Sequence, residues 1–412
     1  MIRVNNKLYS FIAILYVFLS LLGYSLATTL FMPLSSNAVV MSSFVTYPYR
    51  AIVFALAFFL IVTKPEVTRY VPVRQVTRLY VFFIFIYLVR ILIDIYIRKV
   101  YVEPGFKTTV IQYMFITMIP AIWATPKCVK YIDYEKLNKW LVFGGVALLV
   151  LTVLNQNTLI ALEYEEMHRV KGNAAMGSLN LGYTCVICFV LFLSWIVSHN
   201  KESFWKKAFL LFFMAISIII MLRAASRGPF VVFVFIILFC LFSRAKNKEL
   251  VLIVSIIALL FLWLNISTIL GWLGNISPML EKRMASTVIE GDTSGRESIF
   301  GSAISIFLEN PVCGKQFVLR NGFYSHNSIL DVMIGLGLLG ALIWVYLIGK
   351  DFKFCFQNVM KKSSLMAISL ISTLYIMEGF FSGAMYINHK LVICLIIVFS
   401  MSGKEMTSDF YK

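Results

Sequence analysis

From Leu179 to Val197 the chain runs without a single charged residue, and apolar runs of this kind recur along its length. A helix needs about 20 mainly apolar residues to cross a bilayer, and the hydrocarbon interior admits only helices or closed barrels. Apolar positions here are continuous rather than alternating, which selects helices. The sequence predicts about twelve spans on this length criterion. They are Tyr9–Phe31, Tyr47–Val62, Leu79–Ile97, Thr108–Ala124, Trp140–Leu154, Leu179–Val197, Ala208–Leu222, Pro229–Phe242, Leu250–Leu270, Ser328–Ile348, Ser364–Met385 and Leu391–Met401. The first run is too long for a cleaved signal peptide and no small-residue cleavage pattern follows it, so it is read as a true span. With 60% hydrophobic and 14% charged residues and a mean hydropathy of +0.85, the chain does not fit a water-soluble globular domain. The expected class is an all-α polytopic membrane protein, one membrane domain over residues 1–412.

The net charge of +17 raises the question of nucleic acid, but the basic residues sit in short connections rather than in a patch with interleaved aromatics. No nucleic-acid partner is expected. Topology explains the charge: with a cytoplasmic N-terminus, inner segments hold 22 Lys and Arg and outer ones 13, and Arg50 and Arg90 fall inside spans. The positive-inside rule therefore predicts that both termini are cytoplasmic. Seven cysteines are scattered, with only Cys313 in an outer loop, so no disulfide is expected within the chain on that side. Cys185 and Cys188 lie in an apolar span and read as small packing residues.

Two outer loops are longer than connection requires, 155–178 and 271–327, and loops of this length are usually functional. The larger contains "TSGRESIFGSAISIFLENP", in which Ser294 and Glu297 form a capping box ahead of apolar Ile299, Ala303 and Ile306. Its apolar stripe predicts a helix lying on the membrane surface or over the bundle.

Polar residues cluster at the outer ends of the later spans. Arg296, in the first turn of the loop helix, opposes the helix dipole unless an anion is shared there; the alternative is an arginine paired with Glu297 or Asp292. "LRAASRGPF" supplies Arg223 and Arg227 in a turn without acids, either as interfacial anchors or as a guanidinium fork for pyrophosphate. The smaller loop carries Glu163, Glu165, Glu166, His168, Arg169 and Lys171 ahead of Asn180, a solvated run or a metal or sugar cluster. His326, beside Asn327 in "GFYSHNSILD", is either an interfacial cap or a base, since an imidazole titrates near neutral pH. Arg90 and Asp94 stand four apart, as a helical ion pair does, and Glu378, below the outer His389, is a candidate to line the same cavity. Gly335, Gly337 and Gly340 suggest close helix packing. Neither an Asp-x-Asp motif nor a glycine-rich phosphate loop is present, so a cytosolic nucleotide site is not expected.

In order along the second half, "RVKGNAAMGSLNLG", "SRGPF", "GRESIFGSAISIFLENPVCGKQ" and "SHNSILDVMIGLGLLG" resemble the bacterial O-antigen polymerase and O-antigen ligase superfamily, multi-spanning glycosyltransferases of the GT-C kind. The resemblance implies an inner-membrane enzyme working on the periplasmic face, with an undecaprenyl-pyrophosphate-linked oligosaccharide as donor and no cofactor or metal. It casts His326 as the catalytic histidine and Arg227 and Arg296 as pyrophosphate ligands, with Arg223 and Arg169 as further candidates. Asn327, Asn180, Glu378 and His389 are candidates for the acceptor cavity. Membrane lipids and a chain-length regulator protein are the implied partners. The polymerase is preferred to the ligase because the large loop is compact, and a secondary transporter is the alternative from another class.

Overall fold

The computed structural model describes residues 2–31, 42–67, 73–155, 176–288 and 295–402. Among these, nine helices are long and apolar enough to cross a membrane: α1 (Asn6–Phe31), α2 (Phe44–Val62), α3 (Gln75–Ile97), α4 (Pro104–Tyr131), α5 (Tyr134–Leu154), α6 (Ser178–Ser198), α7 (Phe204–Arg223), α8 (Arg227–Arg244) and α13 (Ser328–Met360). Between α8 and α13 come α9 (Lys248–Leu264), α10 (Ile266–Ile276), α11 (Pro278–Val288) and α12 (Arg296–Glu309). The chain closes with α14 (Met366–Phe381) and α15 (His389–Met401).

Three expected spans are helices too short to count among the nine. Leu250–Leu270, Ser364–Met385 and Leu391–Met401 correspond to α9, α14 and α15, of 17, 16 and 13 residues. For the last two the reason is position. Every residue of Met366–Ile376 and of Leu391–Met401 is buried, so these helices, apolar all round, form the centre of the bundle. The longer helices surround them, and α9 is peripheral, exposing Ile253, Ile257, Leu260 and Phe261.

A short parallel pair that the sequence did not announce joins β1 (Ile2–Val4) to β2 (Thr63–Pro65), with Ile2 opposite Thr63. It fixes the start of α1 and the end of α2 at the same end of the bundle, as two antiparallel crossings require.

The Arg90 and Asp94 pair forms, with Nε to Oδ1 at 3.1 Å, but it is part of a larger clamp. Fully buried Asp94 also binds Arg98 at 2.8 Å and accepts the Phe317 N–H at 2.9 Å. Arg90 Nη2 donates to the carbonyls of Gly314 (3.2 Å) and Lys315 (2.7 Å), and Arg98 reaches the Lys315 carbonyl as well. The connection behind α12 is thus stapled to α3.

The glycines of α13 do something other than admit a neighbouring helix. At Gly337 the backbone turns to φ 69°, ψ −164°, breaking the helix. The 311–316 segment enters the break: Leu338 N–H donates to the Pro311 carbonyl (2.7 Å) and Gln316 N–H to the Ile334 carbonyl (3.0 Å). A Cβ on Gly337 would stand 2.1 Å from the Val312 carbonyl oxygen, so only glycine fits.

α12 lies over the bundle, packing Ile299, Ala303, Ile306 and Phe307 on Leu330 and Ile334 of α13. Its start departs from the expected capping box. The cap is Gly295, in the left-handed region at φ 75° with no side-chain hydrogen bond, and Glu297 is then the second helical residue rather than the third. Ser294 lies outside the described residues. Cys185 and Cys188 are buried packing residues, the latter with Sγ 3.8 Å from the Gly145 carbonyl.

Removing one partner of a buried charge cluster costs about 3–5 kcal/mol, because the remaining charges lose their compensation. Asp94→Ala should therefore lower the thermal midpoint in detergent and speed proteolysis around 314–317. An unchanged midpoint would show that the clamp carries little of the fold's stability.

Candidate functional site

His326 sits at φ 59°, a left-handed conformation that non-glycine residues seldom adopt. Both flanks hold it there. On one side Ser325 donates its N–H and hydroxyl to Asp331 Oδ1 at 2.9 and 2.7 Å, and Asp331 is itself fully buried. On the other, Asn327 Oδ1 caps α13 by accepting from Ile329 N (3.0 Å) and Leu330 N (3.2 Å), while its Nδ2 donates to the Phe380 carbonyl at 3.2 Å. Asn327 is therefore the cap, which leaves the neighbouring imidazole without a capping duty. Backbone strain held by its surroundings in this way marks functional turns.

The His326 imidazole is half-buried, with its ring centroid 4.2 Å from that of Tyr324. Burial pushes its pKa below the ordinary 6.5, the Arg296 guanidinium pushes it further down, and a hydrogen bond to the Ser382 main chain pulls the other way. A neutral imidazole that donates one N–H there keeps its second nitrogen as an acceptor. Arg296 is the first residue of α12, half-buried, with no hydrogen-bond or ion-pair partner among the described residues.

The other arginine turn joins the same place. Arg223 ends α7, Ala225 takes φ 49°, and Arg227 opens α8 with Nη2 3.0 Å from Ser286 Oγ. Arg283 of α11, which sequence reading did not single out, donates to the Ala225 carbonyl at 3.0 Å, so α11 covers the turn. The glycine of "SRG" has a steric reason: a Cβ on Gly228 would meet Tyr183 Oη at 2.7 Å. Tyr183 Oη in turn lies 2.9 Å from Ser382 Oγ, beside the main chain that binds His326. The arginine turn and the histidine turn thus meet across Tyr183 and Ser382. Arg169 lies outside the described residues, as does the Glu163–His168 run; among the described residues no cluster of His, Cys, Asp and Glu is arranged to hold a metal ion.

Next to this junction opens a cavity of about 440 Å³ whose wall includes Tyr183, Tyr324 and Ser382. Asn180, Glu378 and His389 line it; His326 and Asn327 do not, although Tyr324 connects them to it. Sequence reading did not place two of its basic residues there. Arg50 enters from α2, its guanidinium 4.4 Å over the Tyr113 ring of α4 and Nη1 3.4 Å from Gln112 Oε1. Lys390, counted from sequence as an ordinary outer charge, lines the wall beside His389. The signal for Arg50 was a cation inside an apolar span, which marks functional cavities by default.

No family model matches the chain, and no curated protein matches it.

The site makes a titration prediction. His326 should lose its proton at a lower pH than an ordinary imidazole, below 6.5. Arg296→Gln removes one of the two depressing causes and should raise the His326 midpoint. Imidazole NMR shifts, assigned by comparison with His326→Ala, would read this directly; an unmoved midpoint would mean that Arg296 does not act on the histidine.

Proposed function

We propose that the chain is a glycosyltransferase of the polysaccharide polymerase kind, transferring glycan from undecaprenyl pyrophosphate to a sugar hydroxyl of another lipid-linked repeat. The observation that carries this reading is a half-buried, strained His326 whose pKa is lowered by burial and by Arg296, which has no ion-pair partner among the described residues, with Tyr324 linking the histidine to a cavity among apolar helices. In the proposed reaction His326 takes the proton of the acceptor hydroxyl as its oxygen attacks the anomeric carbon. The C–O bond to pyrophosphate breaks on the opposite side, inverting the centre. Arg296, Arg227 and Arg223 meet the charge that grows on the leaving oxygens, and guanidinium forks suit phosphate geometry. The site then faces the periplasm of the bacterial inner membrane and both termini lie in the cytoplasm, as the charge split of 22 to 13 favours.

A secondary transporter is the second reading, favoured by the broken α13 and by charged side chains around an intramembrane cavity. Against it, the groups freed at Gly337 are bound by the 311–316 backbone rather than turned toward the cavity. A ligase would share every site residue and differ only in its acceptor, lipid A-core.

General base catalysis is typically worth about 10²–10⁴-fold, so His326→Ala should cut transfer by that factor in purified protein given a lipid-pyrophosphate glycan. Arg227→Lys and Arg296→Lys should also impair turnover, since lysine keeps charge but loses the bidentate fork. Wild-type rates in these variants would defeat the mechanism. In cells lacking the protein, a single repeat on the lipopolysaccharide ladder supports the polymerase, free lipid-linked polymer the ligase, and an unchanged ladder the transporter. For topology, an impermeant thiol reagent added outside should reach exposed Cys313 but not an engineered cysteine at position 404.

A further inference from the structure

The cavity beside His326 has a chemistry of its own. Its wall is built by α1, α2, α4, α6, α14 and the start of α15, and six tyrosines line it: Tyr24, Tyr49, Tyr113, Tyr183, Tyr324 and Tyr375. Its volume of about 440 Å³ falls in the range of pockets that enclose a small organic ligand. Aromatic faces accept the C–H face of a sugar ring, while hydroxyls and amides at the rim accept its OH groups. Three polar atoms in this wall are buried without a hydrogen-bond partner among the described residues: Glu378 Oε2, His389 Nδ1 and Tyr375 Oη. Buried polar atoms are normally satisfied, so the wall is set for a ligand that both donates and accepts.

The charge balance narrows the ligand. Among the described residues, two basic side chains, Arg50 and Lys390, share the wall with one acid, Glu378. Arg50 is braced by Gln112 and stacked on Tyr113, and no carboxylate pairs with it among the described residues. The imbalance is one positive charge, which suits a monoanion. Pyrophosphate fits this wall poorly, because Glu378 would oppose a multiply charged group.

We infer that the cavity is an acceptor-sugar site selective for an acidic sugar, with the ring against the tyrosines and its carboxylate bound by Arg50 and Lys390. The inference rests on the transferase reading only for the word acceptor; the selectivity for an acidic sugar stands on the cavity itself.

The test is equilibrium binding to purified His326→Ala protein in nanodiscs, which removes turnover from the measurement. Three probes are compared by calorimetry: a glucuronate-terminated disaccharide, its glucose-terminated counterpart, and inorganic pyrophosphate. A charge-assisted hydrogen bond in an enclosed site corresponds to about ten- to hundredfold in affinity, so the glucuronate probe should bind that much more tightly than the glucose probe. Arg50→Gln should bring the two to parity while Arg50→Lys keeps part of the difference, and a thermal midpoint equal to the parent's excludes misfolding as the cause. Equal binding of the two sugars by the parent overturns the inference. So does pyrophosphate that displaces the glucuronate probe from the parent but not from Arg50→Gln, since the cavity would then belong to the donor. Selective binding in a protein whose active form transfers no glycan would leave the acidic-sugar site standing and sink the transferase reading. Transfer without sugar selectivity would do the reverse.

Discussion

In hydrocarbon, every backbone N–H and C=O must find a partner within the protein, and this requirement governs where the chain can depart from helix. The break at Gly337 is admissible because the 311–316 backbone fills it, supplying the Pro311 carbonyl to Leu338 and taking the Ile334 carbonyl for Gln316. That segment is in turn fixed from the other side by Asp94, Arg90 and Arg98 of α3. One buried carboxylate and one glycine therefore hold the connection from α12 into the bundle, and the turn bearing His326 follows ten residues after Gln316. A site residue in a left-handed turn needs a rigid foundation, and the clamp supplies one.

The polar end of the bundle separates two kinds of charge. At the arginine turn, Arg227 binds Ser286 and Arg283 binds the Ala225 carbonyl, so that α11 lies across the turn as a cover. In the cavity, cations and a carboxylate share one wall with tyrosines. Tyr183 stands between the two, lining the cavity and meeting Gly228 of the arginine turn, and its hydroxyl lies against Ser382. The transfer proposed above would use such a division, since a leaving pyrophosphate and a neutral or singly charged acceptor require different surroundings on opposite faces of the reacting carbon.

The buried polar network at the other end of the bundle is of a different sort. Asp351 accepts from Ser372 Oγ at 3.0 Å, Asn358 Nδ2 donates to Ser369 and Ser402 hydroxyls at 2.8 and 2.9 Å, and Arg74 reaches the Ser402 carbonyl. These bonds tie α13, α14 and the end of α15 together with the start of α3. They line none of the cavity beside His326, which fits a role in specifying how the short central helices seat.

Sequence alone determined that the chain is a helical membrane protein, because uncharged runs of bilayer length have few other physical solutions. It also determined the loop helix, whose apolar residues Ile299, Ala303 and Ile306 repeat at helical spacing, and the Arg90–Asp94 pair, which is local. What spacing cannot carry is contact between distant segments. That Arg50 of α2 and Lys390 of α15 face the same cavity, that Arg283 lies on the arginine turn, and that α14 and α15 are short because they are central were decided by tertiary packing. So was the role of Gly337, whose break depends on a carbonyl 25 residues earlier at Val312. An apolar run reports that a segment is removed from water but not whether lipid or protein covers it, and only the packed structure distinguishes the two.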